Sequence, residues 1–176
     1  MKTFALVFAI CAVPIIASAQ ETGEKMPPTV TCAQFRDRFR GALIGNNEGI
    51  DLASLFTGEN QEKFEISGIQ AAIGCTARGM FEGFGASLLE TNDASVRRYA
   101  RFTAASVRAI QPELDHSASI RLMTNLSTDA LEDARQSKSH TGQMRGEAET
   151  SIGPYVVMQS FVNGLARTHI ELRYKD

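Results

Sequence analysis

The chain has 176 residues, a length that suits one domain or at most two small ones. Hydrophobic residues at 43% and charged residues at 22% are globular proportions and exclude a disordered chain. The absence of Trp, 7% aromatics and a formal net charge of -2 argue against an aromatic-lined sugar platform and against a dedicated nucleic-acid binder, whose surface is normally basic.

Met1-Lys2 gives a short positive start, and Thr3 to Ile16 is almost wholly apolar, broken by Pro14. Ala17-Ser18-Ala19 then places small residues where a signal peptidase reads them. This pattern predicts a secretory signal peptide over residues 1–19, cleaved to leave Gln20 first. The apolar run is too short to span a bilayer comfortably. Cys11 follows the bulky Ile10, which disfavours a lipoprotein signal. No later segment reaches the length of a membrane helix. The expectation is a soluble periplasmic or secreted protein without a membrane span after cleavage, and without nucleic acid as a partner.

Cleavage leaves Cys32 and Cys75, which in an oxidising compartment predict one disulfide. The closed loop of about 44 residues would contribute about 4 kcal/mol at most in the chain-entropy account. Two distant thiols are too few for a metal site, and their separation is unlike that of a redox pair.

Residues 20–29, with Pro27-Pro28, read as a flexible mature N-terminus, and 30–176 as a single helical domain. Thr31 and Gln34 form a capping box, and Val30 and Phe35 a hydrophobic staple. Cys32, Phe35, Phe39, Ala42 and Leu43 share one helical face, and Gly45-Asn46-Asn47 ends the helix. Glu48 to Glu65 is turn-rich, with nothing beyond a short helix around Asp51 to Phe56 expected. Ile69 to Leu89 reads as a second long helix, because Ile73, Ala77, Met80, Phe81, Phe84 and Leu88 fall on about a third of the wheel. Gly74, Gly79, Gly83 and Gly85 weaken it, and close approach of another backbone would account for them.

A third helix, capped by Asp93, runs from Ala94 to Ile110, with Val96, Tyr99, Ala100, Thr103, Val107 and Ile110 as its apolar stripe. Pro112 opens a fourth helix through Leu126, and Ser127-Thr128-Asp129 caps a short one over Ala130 to Lys138. Ser139 to Ile152 reads as a loop. Tyr155 to Leu172 supports two readings. A hairpin would turn at Asn163-Gly164, with Val157 facing Ile170 and Tyr155 facing Leu172. A helix would start at Pro154, and it is preferred because the preceding segments read as helical. The predicted fold class is therefore mostly α, with a C-terminal β-hairpin over 155–172 as the alternative.

The glycines around Cys75 match neither a phosphate loop nor a dinucleotide fingerprint. His116, His140 and His169 are far apart in sequence, with no metal-binding pair among them, and no Gly-x-Ser-x-Gly elbow is present. No cofactor and no metal are expected. Arg97, Arg101 and Arg108 lie together on the side of their helix opposite the apolar stripe, with Arg98 nearby. Guanidinium groups bind carboxylates and phosphates bidentately, so this side is the candidate docking face for an acidic envelope protein or another anionic envelope component. The alternative is a solvated helix side whose arginine stems cover apolar surface. Glu147 and Glu149 read as an acidic pair in an exposed loop.

Thr31-Cys32-Ala33-Gln34-Phe35, followed by Cys75 at the start of a later helical stretch, resembles the small periplasmic acid-stress chaperones of the HdeA type. The resemblance covers about 45 residues and implies an all-helical fold, one disulfide joining two helix starts, and client holding when the periplasm acidifies. The reading is thus an exported, soluble, non-catalytic binding protein of the bacterial cell envelope, stress-related or chaperone-like. The alternative is a small secreted hydrolase using His116, His140 or His169.

Overall fold

A computed structural model describes residues 29–44, 61–66 and 68–173. The predicted leader, its cleavage after Ala19, the N-terminal segment up to Pro28 and the short helix near Asp51 lie outside these residues. The order of elements is α1 (Cys32–Ile44), β1 (Gln61–Ile66), β2 (Ile69–Cys75), β3 (Phe81–Leu88), α2 (Asp93–Ile110), α3 (His116–Thr141), β4 (Arg145–Ile152), β5 (Tyr155–Val162) and β6 (Leu165–Leu172). The strands form one antiparallel sheet in the order β1-β2-β3-β6-β5-β4, so two three-strand meanders meet where β3 pairs with β6. The mostly helical expectation is therefore wrong, and with it the all-helical fold implied by the chaperone resemblance. Helices cover one face of a six-stranded sheet.

The start of the fold follows the sequence closely. Gln34 N–H donates to Thr31 Oγ1 at 3.2 Å and Thr31 N–H donates to Gln34 Oε1 at 3.0 Å, completing the capping box of α1. The face of Cys32, Phe35, Phe39, Ala42 and Leu43 is buried. Phe35 stacks on Phe81 with ring centroids 4.2 Å apart, and Phe39 meets Phe102 edge-on at 5.0 Å. Phe84 adjoins Phe35, Phe39 and Phe102, so three elements share one aromatic cluster. Val30 to Cys32 crosses the turn between β2 and β3: Phe81 N–H donates to Val30 O at 3.0 Å and Cys32 N–H to Gly79 O at 2.9 Å. The Cys32–Cys75 disulfide fastens this crossing.

The predicted helix over Ile69 to Leu89 is instead β2, a turn and β3. Its apolar residues also fit period two: Ile69, Ala71, Ile73 and Cys75 are buried on β2, and Phe84, Ala86 and Leu88 on β3. The close backbone expected around Gly74, Gly79, Gly83 and Gly85 is found at Gly83 alone, and in a strand; at Gly79 nothing lies within 4 Å and at Gly85 the neighbour is the His169 ring. A Cβ on Gly83 would meet the Ile170 carbonyl oxygen of β6 at 2.8 Å.

α2 forms as predicted, except that Asn92 rather than Asp93 is its cap; Asn92 Oδ1 accepts from Ser95 N–H at 2.9 Å. Val96, expected in the buried stripe, is 45% exposed. The two helices predicted beyond Pro112 are one. Asp115 caps α3 through Ala118 N–H, and Thr128 lies mid-helix, its hydroxyl donating to Thr124 O. The predicted loop over Ser139 to Ile152 contains β4, so Glu147 and Glu149 stand on an edge strand. Tyr155 to Leu172 is the hairpin, not the preferred helix, in the register that reading predicts: Val157 faces Ile170 and Tyr155 faces Leu172. Asn163 and Gly164 both have positive φ, 53° and 86°, which this tight turn requires.

α3 lies over β4 at backbone contact. A Cβ on Gly146 would fall inside the backbone of Ala130 and Ala134, so only glycine fits there. No helix among the described residues is long and apolar enough to cross a membrane.

Candidate functional site

α2 runs between α1 and α3, and its C-terminal half is buried almost all round, from Phe102 to Val107 and again at Ala109 and Ile110. Three arginines spread along the helix define a surface. Arg97 and Arg101 are exposed and Arg108 is half-buried. At 100° per residue the three lie within about 40° of one another, opposite Ser95 and Phe102, and span about 16 Å of helix axis. The structure thus brings the predicted residues together in one outward stripe. Arg98 is turned toward a flank and is half-buried, and it and Arg101 also hold contacts within the chain. The only carboxylate of α2 is Asp93, in the first turn, where a negative charge suits the helix dipole. The arginines of α1 do not extend the stripe. Arg38 Nη1 donates to Ala109 O at the C-terminal end of α2, at 3.4 Å. Arg36 lies on the other side of α1, with Nη2 3.9 Å from Cys75 Sγ.

The structure does not bring the histidines together. His116 opens α3 and His140 lies near its end, both exposed. His169 stands on the outer sheet face of β6, its ring 3.7 Å from where a Gly85 Cβ would be. It shares a shallow depression with Ser87 and Lys63, but among the described residues no hydrogen bond joins a histidine ring to a serine hydroxyl or a carboxylate; the Ser119 hydroxyl donates to the backbone carbonyl of His116, not to its imidazole. Nor does any group of three or more His, Cys, Asp or Glu side chains among them stand close enough to hold a metal ion.

A buried polar chain links α2 to the second meander, and the sequence reading missed it. Thr168 Oγ1 donates to Gln159 Oε1 at 2.5 Å, and the Tyr99 hydroxyl lies 2.8 Å from Thr168 Oγ1 and 3.3 Å from Ala86 O. Burial pushes the Tyr99 phenol up from 10 to about 12, against the opposing hydrogen bonds from Thr168 and Gln159. Gln159 is fully buried and its Nε2 has no partner among the described residues. Alternation places Gln159 and Thr168 inward once the hairpin is known; read as a helix, Gln159 falls on the polar side. Tyr155 accepts from Val30 N–H at 2.8 Å, and burial raises its phenol also.

Two clefts flank the connection between α2 and α3 and meet at Gln111, Ile152 and Gly153. The larger, about 500 Å³, opens between α3 and β4, with Leu114, Leu122 and Ile152 as apolar walls and Arg121, Asn125 and Thr150 as polar ones. The smaller, about 370 Å³, contains Gln34, Arg38, Glu113 and Tyr155. No family model, no curated protein and no solved structure matches the chain.

Proposed function

We propose that this chain is an exported, non-catalytic binding protein of the cell envelope that docks an anionic partner on the arginine stripe of α2. The observation that carries this reading is the stripe itself. Arg97 and Arg101 are exposed and Arg108 half-buried along one side of a helix whose C-terminal half is otherwise buried, and no acidic side chain interrupts them. A helix held on both flanks fixes the backbone spacing from which these side chains reach, which removes the cost of ordering the helix on binding a row of carboxylates or phosphates. The Cys32–Cys75 disulfide is compatible with an oxidising compartment, which supports export. The scatter of His116, His140 and His169 over two ends of a helix and the far sheet face favours binding over hydrolysis, because a nucleophile and its base must stand within hydrogen-bond reach.

Retention on an immobilised sulfated polysaccharide, eluted with a salt gradient, tests the reading. The wild-type protein should be retained despite its net negative charge, and the triple variant Arg97→Gln, Arg101→Gln, Arg108→Gln should elute at markedly lower salt. Equal elution of the two would remove the stripe as a docking face.

A further inference from the structure

The wedge between α3 and β4 carries a second binding surface, independent of the arginine stripe. The even-numbered residues of β4 bond to β5; at the strand's start, Asn163 N–H donates to Met144 O at 2.9 Å. By the alternation of an antiparallel ladder, the odd-numbered residues turn their N–H and C=O groups to the free edge. At Glu147 this edge is closed, since its N–H donates to Asp133 Oδ2 of α3 at 3.0 Å. Closer in, α3 sits on Gly146 at backbone contact. Toward Ile152 the same helix and strand diverge and leave the larger cleft. There Glu149 and Ser151 present edge groups that no described residue takes. The stretch has no Pro or Lys, and the charge at Glu149 is all that marks its edge.

We infer that this open end of β4 takes an extended peptide as an added strand, with apolar residues turned into the wedge and basic residues turned out. A strand added beside Glu149 and Ser151 satisfies their backbone groups, and its alternate side chains lie against Leu114, Leu122 and Ile152 under α3. The other side chains fall beside Glu149 and Ser151 on the outer sheet face. Glu149 now pairs with Arg173 at 3.3 Å, both side chains exposed, and such pairs exchange at little cost. A second copy of this chain fits less well, because it would bring its own α3 against the same short edge.

A fluorescein-labelled peptide of alternating lysine and valine is the probe, read by fluorescence anisotropy on the intact disulfide-bonded protein. Two controls accompany it: the peptide N-methylated at every residue, so that neither of its edges can donate, and the glutamate–valine analogue. Ser151→Pro removes one outward N–H at a position where an edge strand tolerates proline. The lysine–valine peptide should bind saturably, the glutamate analogue more weakly, and either N-methylation or Ser151→Pro should weaken binding by about tenfold or more, as expected for a lost backbone pairing. Equal binding of the N-methylated peptide, binding unchanged in Ser151→Pro, or no saturable binding overturns the inference. So does a concentration-dependent dimer, seen by sedimentation in the wild type and lost in Ser151→Pro, which would assign the edge to a second copy. The N-methylated arm needs no variant and decides the matter even if Ser151→Pro misfolds.

Discussion

The two meanders of the sheet are built alike and sealed differently. The first, β1 to β3, is covered by large aromatic side chains: Phe35, Phe39, Phe81, Phe84 and Phe102 interleave between α1, α2 and the strands, and the disulfide fastens one end. The second, β4 to β6, is covered by α3 at backbone distance over Gly146, and its interior holds a polar chain from Tyr99 to Gln159. Large rings can shift slightly and still fill space, whereas a helix resting on a glycine has no slack. The second half should therefore fail abruptly under small additions, and the first gradually under deletions.

Gly146→Val should have the largest effect. The added side chain must displace the backbone of α3, so soluble folded protein should be lost, as judged by expression and circular dichroism. A folded Gly146→Val protein with an unchanged unfolding midpoint would erase the contrast. Phe39→Ala comes next, with about 3–5 kcal/mol lost in urea unfolding and the native fold retained, because the cavity opens among rings from three elements. Replacing both Cys32 and Cys75 with Ser should cost about 2–4 kcal/mol, mainly through the unfolded chain, while the Val30–Phe81 crossing keeps its backbone hydrogen bonds.

A smaller effect isolates the polar chain of the second half. The folded Tyr99 phenol ionises near 12 instead of 10, so the folded state holds its proton more tightly than the unfolded state. Stability from this shift is fully present below pH 10 and is lost as pH rises toward 12, by about 2–3 kcal/mol. Urea unfolding at pH 9 and pH 11.5 should show a steeper decline for the wild type than for Tyr99→Phe. Parallel declines would mean that Tyr99 is not held in a desolvated network. The smallest stability effect belongs to Arg97→Gln, Arg101→Gln and Arg108→Gln together. They should leave the thermal midpoint nearly unchanged, because Arg97 and Arg101 are exposed and Arg108 is half-buried, outside the packed core.

The same contrast decides what the sequence revealed. α1 was legible because its signals are local: a capping box, a staple and a stripe of large apolar residues. The C-terminal hairpin was legible in its turn and register, and was passed over because neighbouring segments read as helical. β2 and β3 were misread because small residues leave period two faint. Ala71, Ala86, Gly83 and Gly85 contribute little hydrophobic signal, while Ile73, Phe84 and Leu88 also fit a helical wheel. β4 was invisible for a related reason. Its inward residues Gly146, Ala148 and Thr150 are small where α3 lies close, so no apolar alternation marks it. The arginine stripe needed only helix periodicity, since three positions on one side of a helix are set by spacing alone. The wedge edge needed the topology, because an open edge depends on which strand lies last in the sheet.

Fractionation of the native source cells tests the central claim most directly, comparing the wild-type protein with the variant that replaces Arg97, Arg101 and Arg108 by Gln. The account predicts that the wild type sediments with the envelope and is released by salt, while the variant, equally stable, appears in the soluble fraction. An identical distribution of the two proteins at every salt concentration would contradict it.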